Sequence, residues 1–181
     1  MKTLRKKSIV LCVILLGMLF CVSGCQGEED FMNLKKFSIF PKSNRDKAEE
    51  CIDIIFDGDE DAIFDLFSDK VKEELGEEEL RRQIKELIQF YQGAEIQSKQ
   101  GAYTESVGND YGVKRITVEP HCGIETDNGD YEILFLYVVR ADENPEEVGI
   151  ESFQIAARET YDEEEFMWEK YDEAHGILIF E

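Results

Sequence analysis

The chain has 181 residues, with 41 Asp+Glu against 20 Lys+Arg and a formal net charge of −21. Hydrophobic residues make up 43% of it, which is enough for a core and too much for a disordered acidic tail. So much acid excludes nucleic acid as a partner, because phosphate counterions are displaced by cations, and it excludes docking on anionic lipid by charge.

Lys2, Arg5, Lys6 and Lys7 form a basic start, and an apolar run from Ile9 to Val22 follows, interrupted by Gly17. The run is short for a membrane span, which needs about 20 apolar residues, and it suits the h-region of an export signal. It ends in Val22-Ser23-Gly24-Cys25. That ending resembles the lipobox of bacterial lipoproteins, which implies cleavage before Cys25 and a diacylglyceryl thioether on its sulfur. Ordinary signal cleavage near Gly24 is the alternative. Residues 1–24 are therefore read as a lipoprotein signal peptide, 25–43 as a lipidated Cys25 with its tether, and 44–181 as a single domain. Losing residues 1–24 removes four positive charges and no acid, which takes −21 to −25. Two or more acyl chains would hold the protein stably, so its membrane contact is expected through lipid on Cys25, at the extracytoplasmic face of the cell membrane. A coil of this length reaches roughly 25 Å. Its second half, with Phe31, Met32, Leu34, Phe37, Ile39 and Phe40, either packs on the domain or rests on the bilayer interface.

Ser43 or Asn44 can cap a first helix, with Asp46 in its first turn. Ala48, Cys51, Ile52, Ile55 and Phe56 follow at helical spacing, and Gly58 is a natural stop. Asp59 caps a second helix with Ile63, Leu66 and Phe67 on its apolar face. Ser68 restarts a turn through Val71 and Leu75 to Gly76. Leu80, Ile84, Leu87, Ile88 and Tyr91 mark a long helix from about Glu77, ended by Gly93.

From Ala94 the period changes to two. A strand is expected to Val107, a turn at Gly108-Asn109-Asp110, and a strand about Val113–Glu119. Asp127-Asn128-Gly129-Asp130 carries an Asn-Gly hairpin signal. Tyr131–Val139 is strongly apolar and should be central. Asn144-Pro145 marks a turn, Val148–Ala157 a strand, Glu163–Trp168 a short helix or ordered loop, and Gly176–Phe180 a closing strand. Helices first and antiparallel strands after give an α+β domain, with N-terminal helices on a curved antiparallel sheet.

This order of elements resembles the nuclear transport factor 2-like (cystatin-like) superfamily. Ile52–Phe67, Ile88–Gly93, Tyr131–Tyr137, Val148–Ile150 and Gly176–Ile177 more closely resemble a family of uncharacterised small lipoproteins of Gram-positive bacteria, the domain of unknown function numbered 5104. The resemblance implies a cone with an open mouth, which Tyr91, Tyr103, His121, Tyr137 and Trp168 would line. It implies no catalytic residues. Superfamily members often dimerise through the sheet, so a homodimer is one expected partner.

Asp57-Gly58-Asp59-Glu60-Asp61 fails as an EF-hand, whose sixth and twelfth positions need Gly and Glu and here hold Ala62 and Ser68. His121, Cys122 and the distant His175 do not make the three converging ligands of a catalytic zinc. No metal and no cofactor are expected. Cys51 and Cys122 either form a disulfide, which an exported location permits, or stay as free thiols. The leading expectation is a non-enzymatic module binding a small molecule or a protein. The alternatives are an isomerase- or dehydratase-like enzyme with an acid in the cone, and an immunity or accessory lipoprotein that binds a basic partner.

Overall fold

The structure is a computed structural model and describes residues 42–171 and 175–181. The expected signal peptide, Cys25 and nearly all of the expected tether lie outside the described residues. Those described belong to one unit, Lys42–Glu181. Among them no helix is long and apolar enough to cross a membrane.

Four helices come first: α1 (Asn44–Asp57), α2 (Glu60–Leu66), α3 (Asp69–Leu75) and α4 (Glu77–Tyr91). Short polar side chains set their starts. Ser43 Oγ accepts from the Asp46 amide and the Asp46 carboxylate accepts from the Ser43 amide, a closed capping box. Asp59 accepts from the amides of Asp61 and Ala62, both at 3.0 Å, and Ser68 from Val71 at 3.2 Å. The acids around Gly58 thus serve as a helix stop and a helix start. The turn expected after Ser68 is a full short helix. The long helix ends one residue early, with Gln92 already left-handed (φ 56°) ahead of Gly93.

Five strands follow: β1 (Ile96–Asp110), β2 (Val113–Thr126), β3 (Asp130–Ala141), β4 (Gly149–Ala157) and β5 (Gly176–Phe180). They lie in sequence order, so β3 is central as expected. Two expectations are corrected. The first turn falls at Tyr111-Gly112, not Gly108-Asn109-Asp110. Asn109 and Asp110 pair with Lys114 and Val113, and the two consecutive left-handed residues are Tyr111 (φ 48°) and Gly112 (φ 94°), as a two-residue hairpin of this type requires. The sheet is also mixed, because β5 runs parallel to β4. The chain after β4 enters a one-turn helix α5 (Arg158–Tyr161) and an ordered loop before returning. A hairpin cannot make a parallel pair; such a crossover can. Register shifts at Ile116/Thr117 and Leu136/Tyr137 bend the strands and raise their twist.

The interior between helices and sheet is filled. Ile52, Ile55, Leu80, Ile84 and Leu87 meet Ile133, Phe135, Phe153 and Ile155, all at 0% exposure. Tyr91 lies among them, its ring 4.9 Å from Phe56 and its hydroxyl donating to the Ile55 carbonyl at 2.6 Å.

Cys51 and Cys122 are buried free thiols, so the disulfide alternative is set aside. Burial pushes the Cys51 thiol from 9.0 up to about 12. An unfolded chain gives up this proton near pH 9, whereas the folded chain keeps it to about pH 12. The resulting stability is whole below pH 9 and is lost as pH rises through that window. Urea unfolding of Cys51→Ala should therefore show a slope against pH flatter than wild type by about 1.4 kcal/mol per pH unit between pH 10 and 11. Parallel slopes would contradict this.

Candidate functional site

The site is built on the sheet face turned away from the helices. Side chains alternate along β2 and β3. Cys122 and Ile124, with Tyr131 and Ile133, enter the core, so His121, Gly123 and Glu132 point to the opposite face. Gly123 lies directly opposite Glu132. A Cβ at Gly123 would stand 2.9 Å from Glu132 Oε1 and 3.5 Å from Arg158 Nη1. The missing side chain is what leaves room for the carboxylate.

Glu132 is 6% exposed. A buried carboxylate needs partners, and two elements supply them. Arg158, the first residue of α5, donates from Nη1 to Glu132 Oε1, and its Nε stands 3.5 Å from Asp162. His121 on β2 places Nε2 3.7 Å from Glu132 Oε2. Both partners are about half-exposed, so each keeps donor capacity for something else. Tyr161 stands beside them, its ring 5.9 Å from that of His121 and under the Arg158 guanidinium.

These groups sit in a groove of about 380 Å³, walled from β1 by Ser98 and Gln100 and rimmed by Glu125 and Asp130. Ser98 donates to Glu125 at 2.6 Å. The segment after α5 packs beside His121 and Tyr161, next to the groove. Trp168 packs edge-on to His121 at 6.0 Å and to Phe166 at 4.9 Å, and both indole and phenyl rings meet Phe180 of β5. Gln154, fully buried on β4, holds this segment by exchanging two hydrogen bonds with the Glu169 backbone, at 2.8 and 3.0 Å. Beneath it the Trp168 Nε1 and Tyr171 hydroxyl are buried with no partner among the described residues. Burial, with Glu119 nearby, holds the Tyr171 hydroxyl above its usual range.

The five side chains expected at one cone mouth divide between the two faces of the sheet. Tyr91 is wholly inside the core. Tyr103 and Tyr137 pack on the helix side, Tyr103 beneath the Arg45 guanidinium and Tyr137 near Cys51 and Glu50. Burial raises both phenols, and Cys122 adds to the rise at Tyr103. His121 and Trp168 alone come together, on the outer face. The acid expected inside the cone is also displaced. Among the described residues the buried carboxylate is Glu132, outside the helix–sheet interior. His175 pairs instead with Glu74 on α3 at 3.2 Å, and among the described residues no cluster of three His, Cys, Asp or Glu could hold a metal ion.

Glu132, Arg158 and Tyr161 were not singled out from the sequence. One signal was present: Glu132 is an acid inside the strongly apolar run Tyr131–Val139. Its partner lies 26 residues on, a separation no local pattern reports.

The chain matches no curated protein. A family match covers residues 50–162. It reaches from within α1 through α5 and takes in His121, Gly123, Glu132, Arg158 and Tyr161. It stops short of Phe166 and Trp168. That match covers more than half of the chain, which belongs to the family described as a domain of unknown function, DUF5104.

Proposed function

We propose that the protein is an exported lipoprotein, anchored by lipid on Cys25 at the outer face of the cytoplasmic membrane, and that its domain is a non-enzymatic binding module. Its fold is read as a nuclear transport factor 2-like variant whose ligand seat is the groove on the outer sheet face. The observation that carries the seat is the buried Glu132 held between half-exposed Arg158 and His121. The carboxylate is already ion-paired with Arg158. Arg158 and His121 offer donors, Glu125 and Asp130 offer acceptors, and Tyr161 offers an apolar face. That combination suits a small ligand of mixed polarity. Support for the anchor is the Val22-Ser23-Gly24-Cys25 ending and the basic and apolar run before it.

Two readouts test the parts. Cells fed labelled palmitate should mark the full-length protein, and Cys25→Ser should abolish the label; labelling that survives the substitution would refute the anchor. Calorimetric titration with amino acids, dipeptides and polyamines should give binding that Gln100→Trp, which fills the groove, weakens at least about tenfold. Turnover of a bound compound, abolished by Glu132→Gln, would replace the binding reading with the isomerase- or dehydratase-like one.

A further inference from the structure

β1 is 15 residues long and forms one edge of the sheet. Among the described residues no strand pairs with its outer side. Exposed edges of this length are usually blunted by charge, proline or shortness. Here the strand carries only Lys99, Glu105 and Asp110 as charges, within a chain of net charge −21.

We propose that this edge pairs with the same edge of a second copy of the chain, antiparallel about a two-fold axis at Ala102. Side chains on β1 alternate between faces. Lys99 meets Asp53, Gly101 faces the Cys122 sulfur, Tyr103 lies under Arg45, and Glu105 accepts from Asn44, so all four are on the helix side. Ser98 and Gln100 are on the groove side. Directly opposed residues in antiparallel strands share a face, so the two-fold axis must pass through a residue position. Centring on Ala102 sets Lys99 opposite the partner copy's Glu105, twice by symmetry, and sets Gly101 opposite Tyr103. On the other face Ser98 meets Ser106, Gln100 meets Thr104, and Ala102 meets itself. No like charges are opposed, and the aromatic ring covers the bare glycine. Moving the axis by one residue opposes Lys99 to Tyr103 or to Val107 and loses both ion pairs. The pairing joins two five-stranded sheets into one and brings the groove walls of the two copies together along the shared edge.

Lys99 and Glu105 are six residues apart, roughly 20 Å along a strand, so they cannot pair within one chain. The test is sedimentation velocity of the full-length chain in non-ionic detergent. Wild type should sediment as a dimer. Glu105→Lys alone and Lys99→Glu alone should each shift to monomer, with dissociation constants raised at least about tenfold. An equimolar mixture of the two variants should recover the dimer, because each then supplies the charge the other lacks. Lys99→Glu also loses its contact with Asp53, so Glu105→Lys, which gives up one hydrogen bond at 3.1 Å from Asn44, is decisive if the former melts early. A monomeric wild type would overturn the pairing and leave the edge to an extended segment of another protein. So would a dimeric Glu105→Lys, or a mixture of two folded variants that stays monomeric.

Discussion

Replacing Gly149 by alanine should destabilise the domain by about 3–5 kcal/mol, among the largest losses a single methyl group can cause. Gly149 opens β4 with φ at +132°, where a side chain is strained by itself. A Cβ there would also lie 2.6 Å from Ser68 N, 2.8 Å from Ser68 Cα and 2.9 Å from the Leu66 carbonyl. All three are backbone atoms, so no side chain can rotate aside. The crowding exists because the α2–α3 junction is stapled to β4, with Phe67 bridging Ile150 and the Ser68 amide donating to the Ile150 carbonyl at 3.1 Å. Gly112 is the control. It is left-handed too, at φ +94°, but a Cβ would meet nothing within 4 Å, so Gly112→Ala should cost about 1 kcal/mol. Urea midpoints of the two variants decide between conformational strain alone and strain with collision; equal losses would contradict the stapled junction.

Arg158→Met should cost about 2 kcal/mol, more than the double variant Glu132→Gln/Arg158→Met. Removing one partner of a buried ion pair strands the other's charge. Glu132 would keep only His121, 3.7 Å away. The loss is set below that of a fully buried pair because the Arg158 side chain is 48% exposed and water screens it. Neutralising both members removes the stranded charge and should restore about 1 kcal/mol or more, measured as a coupling energy in a double-mutant cycle. Simple additivity of the two single losses would show that Arg158 and Glu132 do not act together.

The helical half was legible residue by residue because its signals are local. Ser43, Asp59 and Ser68 cap within three residues of themselves, and Ala48, Cys51, Ile52 and Ile55 repeat at the helical period. Strand existence was legible for the same reason. What failed was non-local. Gly108-Asn109-Asp110 has more turn-like residues than Tyr111-Gly112, yet pairing with Val113 and Lys114 carried the strand past it. The parallel β5 depends on where residues 158–171 run, and nothing in Gly176–Phe180 reports direction. The site suffered most. Gly123, Glu132 and Arg158 come from three elements and meet only after β2, β3 and β4 register, and the Tyr161 and Trp168 rings reach His121 only once the chain after β4 folds back over the outer sheet face. The cone's interior was expected to be open, but Phe135, Phe153 and Tyr91 fill it.

If the groove around Glu132 is a ligand seat, protein taken from its own membranes should carry an occupant. The direct measurement is mass spectrometry of small molecules released by denaturing full-length protein purified from its own membranes, wild type beside Gln100→Trp. Wild type should release a compound of mixed polarity in near-stoichiometric amount, and the variant at least about tenfold less. Equal amounts released from both proteins would place any ligand elsewhere and rule the groove out as its seat.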